Sequence, residues 1–305
     1  MDKIIITTGD PNGIGAEITM KALKALNLPK EKIAIISNKK ILNYYGKLDK
    51  NYEIIEIPYN ENDIKAGQVT KEAGEFSFES LKLACELKPK AIVTAPVAKN
   101  ALHLAGHNFN GQTEVLQHFL AHDNQLAEML FVANGFRVLL LTRHCALKEI
   151  TLTQDVVVTK IKNLVKTFQK QFSINNPKFA LCGFNPHSGE DGILGREEID
   201  ILIPAVQELQ NAGIDITMPL PADTLFVEAA KNYLKNTKDK YDCYIANYHD
   251  QGLIPIKTVA GENTVNMTIG LDIVRTSPGH GTAFDIAGKN IASPNGMIAA
   301  IKEVL

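Results

Sequence analysis

The chain has 305 residues, 45% of them apolar, and a net charge of −2. That length suits one large or two ordinary domains with a substantial core. No apolar window is long enough to span a membrane, and the lysines are too dispersed to offer nucleic acid a basic face.

The opening Met1-Asp2-Lys3-Ile4-Ile5-Ile6 lacks the long apolar core of a signal peptide. Four cysteines, at 85, 145, 182 and 243, form no C-x-x-C pair. They are expected to be reduced thiols of a cytoplasmic protein, with Cys145 and Cys182 as small core residues.

In chain order, residues 3–8 form a β-branched run ended by Gly9, which predicts a buried first strand. A helix over 15–26, a strand at 33–37, a helix near 39–45 and a strand at 53–57 follow. A helix at 72–87 leads to the strand Ala91-Ile92-Val93-Thr94 and a short helix from Val97. This alternation predicts an α/β fold with a largely parallel sheet covered on both faces. After a helix at 112–122, strands 128–133 and 136–142 flank Asn134-Gly135, a two-residue hairpin signal. That antiparallel pair breaks the rhythm and opens a second domain with a mixed sheet. The helix 154–171, the strand 178–182, the helix 195–211 and strands near 214–218 and 242–246 belong with it. A strand at 263–269, a glycine turn at 279–281 and helices at 282–287 and 295–304 close the chain. The expected domains are 1–120 with 277–305, and 121–276.

The first turn, Gly9-Asp10-Pro11-Asn12-Gly13-Ile14-Gly15, joins a strand to a helix. Its glycines allow backbone to approach a ligand, and the helix N-terminus attracts anions. It is not G-x-G-x-x-G, because Ile18 fills the last glycine position, and no acidic residue ends the second strand. A tight βα turn is the plain reading. Lys99 stands near a helix start, where a solvated lysine is the default. Thr113, in Gly111-Gln112-Thr113-Glu114, suits either a helix cap or a hydroxyl donor to phosphate.

Three histidines stand just after predicted strand ends: His144, His187 and His249. Three neutral imidazoles with an open position suit a catalytic divalent metal, zinc being commonest. Three separate hydrogen-bonded loop histidines are the alternative. Asp223 follows another strand and suits a helix cap. Lys257 lies eight residues past His249. Arg275 follows an apolar run and suits a phosphate or carboxylate.

The segments Gly9–Gly15, Gly111-Gln112-Thr113-Glu114, Gly183-Phe184-Asn185-Pro186-His187-Ser188-Gly189, Pro221-Ala222-Asp223-Thr224-Leu225-Phe226, Tyr248-His249-Asp250-Gln251-Gly252 and His280-Gly281-Thr282-Ala283 together closely resemble the PdxA family of 4-hydroxythreonine-4-phosphate dehydrogenases, nearly end to end. The last segment, through Lys289, is also similar to the cofactor loop of isocitrate and isopropylmalate dehydrogenases, whose two-domain fold the family shares. The resemblance implies that His144, His187 and His249 bind zinc, or magnesium or cobalt. It implies a homodimer with the site at the subunit interface and His249 supplied by the partner. It implies substrate contacts from Gln112, Thr113, Asp223, Lys257, Asn266 and Arg275. NAD or NADP would be held by the 280–295 region, with His280, Gly281, Thr282 and Asn295.

The implied reaction is metal-assisted oxidation of 4-phosphooxy-L-threonine at C3, followed by decarboxylation, with Lys257 and Asp223 as the catalytic pair. Phosphate neutralisation is an alternative role for Lys257. The family commonly has histidine at position 112. Glutamine cannot carry a proton there, so Gln112 is expected only to contact substrate. Two other readings remain: a dehydrogenase of a four-carbon sugar-acid phosphate, and a metabolite-binding protein without activity.

Overall fold

The computed structural model describes residues 2–122 and 125–305. In chain order the strands and α-helices are β1 (Ile4–Thr7), α1 (Gly15–Leu26), β2 (Ile33–Ser37), α2 (Lys39–Tyr45), β3 (Glu53–Glu56), α3 (Lys71–Glu86), β4 (Ala91–Thr94), α4 (Lys99–Leu104), α5 (Gln112–Leu120), β5 (Glu128–Ala133), β6 (Phe136–Leu140), α6 (Gln154–Gln171), β7 (Lys178–Leu181), α7 (Ile203–Asn211), β8 (Asp215–Ile216), α8 (Ala222–Lys235), β9 (Cys243–Ala246), α9 (His249–Ala260), β10 (Val265–Ile269), β11 (Val274–Pro278) and α10 (Asn295–Lys302).

Two compact units result: Met1–Ala127 with Val265–Leu305, and Glu128–Thr264. In the first unit the strands run in the order β3-β2-β1-β4-β11-β10. All neighbours are parallel except β10 and β11. Alternation sends Ile4 and Ile6 to one face, with Ile18 and Leu23 of α1 and Met297 and Ile301 of α10. Ile5 and Ile92 face the other way, onto Cys85 of α3 and Leu116 of α5. Residues 265–276, which the sequence pattern groups with the second domain, fall in this unit. β11 joins the parallel sheet through Val274↔Ala91 and carries its antiparallel neighbour β10 with it.

The second unit has the order β5-β6-β9-β7-β8. Asn134 and Gly135 take φ of 42° and 88°, as a two-residue hairpin turn requires. They join antiparallel β5 and β6. Beyond them β6, β9 and β7 are mutually parallel neighbours. Their C-terminal ends therefore share one edge, and the loops carrying His144, His249 and His187 leave from that edge.

Four expectations differ. First, α9 is a helix over a stretch to which the sequence pattern assigns no element, although Gly252 and Pro255, ordinarily unfavourable inside helices, lie within it. Gly252 is instead a packing residue. A Cβ there would lie 2.6 Å from Leu140 Cδ2 and 2.8 Å from Val138 Cγ1, so only glycine lets α9 sit this close to β6. Gly252→Ala is expected to lower stability by roughly 1–3 kcal/mol in urea unfolding. Second, the helix expected over 195–211 begins with a π-helical turn, Glu198–Leu202, before α7. Third, 284–290 is a series of turns and not a helix. Ala283, Gly288 and Asn290 take φ of 43°, 78° and 58°, which interrupts any α-helical run. Fourth, Cys145 is exposed, because it follows β6 in an open loop, whereas Cys85, Cys182 and Cys243 are buried.

Candidate active site

The second unit presents the histidines. The His144 and His249 rings lie 5.5 Å apart, tilted by 47°, within one chain. His249 opens α9, and its Nδ1 lies 2.7 Å from Asp250 Oδ1. His187 Nδ1 lies 2.5 Å from Glu190 Oε1. A carboxylate on Nδ1 fixes the tautomer and turns Nε2 outward, the usual arrangement for a metal-binding histidine. Glu190 also raises the His187 pKa, with a smaller contribution from Asp223. This donor chemistry fits a divalent cation. Among the described residues, however, no three His, Cys, Asp or Glu side chains converge within one subunit. The structure brings the His144 and His249 rings together, and His187 forms no metal-holding group of three with them.

His187 sits on unusual backbone. Residues 187–191 take φ of 53°, 55°, 84°, 42° and 54°. Left-handed conformation costs roughly 1–2 kcal/mol for each residue other than glycine. The turn persists because Asn185 is clamped by Glu198, which is 2% exposed. The Asn185 backbone N–H donates to Glu198 Oε1 at 2.7 Å, and its Nδ2 donates to Oε2 at 2.9 Å. Strained backbone held by its surroundings is a mark of functional sites.

Asp223 lies in the first turn of α8, whose N-cap is Pro221. The helix has no side-chain cap, so the capping reading of Asp223 is not seen. Lys257 is exposed on α9. Eight residues at 1.5 Å rise put it about 12 Å along the helix from His249. His249 and Lys257 therefore stand well apart along α9.

The first unit contributes a second polar set. Arg275 is 2% exposed. Burial lowers its pKa to about 9, and Glu114 partly opposes the shift. Its Nε donates to Thr94 Oγ1 at 2.8 Å and its Nη1 to Thr268 Oγ1 at 3.4 Å. It forms no ion pair among the described residues. The register Asn266↔Ser277 and Thr268↔Arg275 puts Asn266 and Arg275 on the same face of the β10–β11 pair. Asn266 Oδ1 is buried without a partner, and so is Gln112 Oε1. Gln112 Nε2 donates to Ala95 O at 3.2 Å, beside the Arg275 partner Thr94. Thr113 is buried in α5 and does not cap it; the N-cap is Gly111, without a side-chain bond. Lys99, by contrast, is the exposed first residue of α4, in keeping with a solvated lysine.

The first turn and the 280–295 region are bound together. Ile14 N–H donates to Thr282 O at 3.1 Å, and Ala292 N–H donates to Glu17 Oε1 at 2.9 Å. His280 Nδ1 lies 3.0 Å from Gly281 O. Nothing lies within 4 Å of where a Gly281 Cβ would be, so that backbone is open to a ligand. Asn295 is the exposed first residue of α10. These features fit a cofactor loop resting on α1.

Asp10 is fully buried in the same turn. Burial raises its pKa to about 6, against the N–H groups of Asn12 and Ala98 that it accepts from. The folded protein therefore holds this proton more tightly than the unfolded chain does. The stability it confers is lost as pH rises from about 4 through about 6. Asp10→Asn is expected to stabilise the protein above pH 6 by on the order of 2–3 kcal/mol and to flatten that part of the pH–stability curve.

The model of a family described as "Pyridoxal phosphate biosynthetic protein PdxA" matches residues 3–304. The chain belongs to the PdxA family. It is 37% identical over 327 residues to the 4-hydroxythreonine-4-phosphate dehydrogenase of Sulfurihydrogenibium sp. (strain YO3AOP1), covering 99% of this chain and 97% of that one. It is also 37% identical over 327 residues to the D-threonate 4-phosphate dehydrogenase of Salmonella typhimurium, covering 98% and 97%. The crystal structure of 4-hydroxythreonine-4-phosphate dehydrogenase from Klebsiella pneumoniae superposes with a TM-score of 0.85 at 33% identity, over 100% of this chain and 98% of that one. Isocitrate dehydrogenase from Methylococcus capsulatus shares the fold, with a TM-score of 0.51 at 14% identity over 99% and 85% of the two chains. The chain is thus a PdxA-family oxidoreductase with the α/β fold of the isocitrate dehydrogenases.

Several residues at this PdxA site escaped the sequence reading. Glu190 and Asp250 lie within three residues of the histidines they orient, so a carboxylate beside each histidine was the available signal. Glu198 acts from eleven residues beyond His187, through a backbone turn that no pattern announces.

Proposed function

We propose that the chain oxidises the C3 hydroxyl of 4-phosphooxy-L-threonine with NAD or NADP, yielding 2-amino-3-oxo-4-phosphooxybutanoate. That product decarboxylates to 3-amino-2-oxopropyl phosphate on the route to pyridoxine phosphate. The observation that carries this reading is Arg275, a buried guanidinium with no ion pair among the described residues, on the same face of the β10–β11 pair as Asn266, whose amide oxygen is orphaned, as is that of Gln112. Such a group calls for an anionic ligand, and a phosphate suits its fork of donors. The two orphaned oxygens suit the hydroxyl or ammonium donors of the same ligand.

A divalent metal ion at His144, His187 and His249, zinc before magnesium or cobalt, supplies Lewis acidity at the reacting hydroxyl. NAD or NADP, against His280, Gly281, Thr282 and Asn295, supplies the hydride acceptor. Arg275 binds the phosphate, with Thr113 as a further donor. Gln112 and Asn266 orient the polar end of the substrate. Lys257 Nζ moves the proton of the C3 hydroxyl, and Asp223 orients Lys257. The working form is a homodimer with the site at the subunit interface and His249 supplied by the partner.

Lys257→Arg distinguishes proton transfer from charge neutralisation, because arginine keeps the charge and cannot give up its proton. The expected result is a fall in kcat of about 10²–10⁴-fold with little change in substrate KM. A raised KM with normal kcat assigns Lys257 to the phosphate instead.

The second reading is oxidation of D-threonate 4-phosphate, favoured by the equal identity of the Salmonella typhimurium relative. The substrates differ at C2, amine against hydroxyl. Their kcat/KM values, measured side by side with NAD and NADP, decide the matter. A higher value for 4-phosphooxy-L-threonine is expected, and preference for the threonate replaces the first reading by the second.

A further inference from the structure

Each histidine-bearing loop begins at a strand end, and two side-chain amides with one backbone carbonyl join all three ends. Asn247, fully buried after β9, accepts at its backbone carbonyl from Thr142 beyond β6. The Thr142 N–H donates at 3.1 Å and its Oγ1 at 2.7 Å. Asn247 Nδ2 donates to Cys182 O, just beyond β7, at 2.8 Å. Gln251, one turn into α9, accepts at Oε1 from the Asn247 backbone N–H at 2.8 Å and from Asn247 Nδ2 at 3.2 Å. Its Nε2 donates to Gly183 O at 2.7 Å.

The polarity of this cluster is forced. Carbonyls at Cys182 and Gly183 can only accept, so Asn247 and Gln251 must turn their NH₂ groups toward them. The Asn247 N–H can only donate, which fixes Gln251 Oε1. Two amides with no freedom to flip thereby tie Cys182, Gly183 and the Asn247 backbone together, and the Asn247 backbone carbonyl adds Thr142. Thr142 and Asn247 each stand two residues before a site histidine, and Gly183 stands four before the third.

We propose that Asn247 and Gln251 are positioning residues that hold the His144, His187 and His249 loops in one register, and thereby set the affinity of the site for a divalent cation. The inference rests on the reading that these histidines bind metal. Neither amide touches substrate or cofactor in this assignment. Their action is on where the imidazoles stand, and groups that orient metal ligands typically change affinity or activity by 10–100-fold when removed.

The test is zinc affinity of the purified full chain, measured by competition with a chelating dye, in Gln251→Met and His187→Ala. NADH affinity is read in parallel by fluorescence titration. Gln251→Met is expected to weaken zinc binding by about 10–100-fold and to leave NADH binding unchanged. His187→Ala is expected to lose the site's zinc altogether. Wild-type zinc affinity in Gln251→Met, with zinc lost in His187→Ala, overturns the positioning role alone. Full zinc retention in His187→Ala overturns the metal reading on which it rests. Equal loss of zinc and NADH affinity in Gln251→Met marks general structural damage and also overturns the proposal. Should Gln251→Met fail to fold, Thr142→Val removes a single hydroxyl strut and is expected to weaken zinc by about two- to tenfold. Unchanged affinity there counts against the proposal.

Discussion

Arg275→Met is expected to make the ligand-free protein more stable and the enzyme far less active. A guanidinium that is 2% exposed and has no ion pair among the described residues is desolvated, with the Thr94 and Thr268 hydroxyls in return. Methionine fills much of the same volume without that cost, and replacing buried charge with apolar groups is often neutral or stabilising by about 1–4 kcal/mol. Substrate phosphate is expected to lose two charge-assisted hydrogen bonds, each worth about 1.5–3 kcal/mol. Hence kcat/KM should fall by roughly 10²–10⁴-fold. Thermal unfolding with and without added phosphate reads both effects. The wild type should gain stability from phosphate, and Arg275→Met should start higher and gain nothing. A variant that is less stable, yet still stabilised by phosphate, would remove Arg275 from the anion site.

His187→Ala should abolish turnover while leaving the fold intact. Its side chain is exposed, so truncation removes no core contact. It also relieves nothing in the backbone, because Glu198 and Asn185 still clamp the left-handed turn. The expected loss is therefore confined to bound metal and to kcat, which should fall by 10³-fold or more, as several kcal/mol of Lewis-acid stabilisation disappear. Metal analysis and circular dichroism on the same sample separate this from unfolding. Full metal content with normal turnover would take His187 out of the site.

Much of the fold was legible because local chemistry decided it. Asn134-Gly135 fixed a hairpin through its own φ angles, and the β-branched runs 4–7 and 33–37 became buried parallel strands. α9 was hidden because Gly252 and Pro255 carry the signature of a break. Only the three-dimensional closeness of Leu140 and Val138 shows that Gly252 is there for packing. Strand ends predicted where the three histidines emerge. That the three histidine loops leave one edge, with the His144 and His249 rings 5.5 Å apart, depends on the order β6-β9-β7, which sequence spacing does not encode. The identity of Arg275 was plain, but its burial against the Thr94 and Thr268 hydroxyls is a property of the sheet around it. Gln251 looked like a motif residue beside His249, and its bond and those of Asn247 to the other two loops exist only once β6, β7 and β9 lie side by side.

The most direct measurement is reduction of NAD or NADP by the purified chain with 4-phosphooxy-L-threonine, before chelation, after chelation, and after zinc is restored. Turnover that disappears with the chelator and returns with zinc is the expected result. Failure to turn over either this substrate or D-threonate 4-phosphate, or a rate unchanged by chelation, would contradict a metal-dependent dehydrogenase of phosphorylated four-carbon acids.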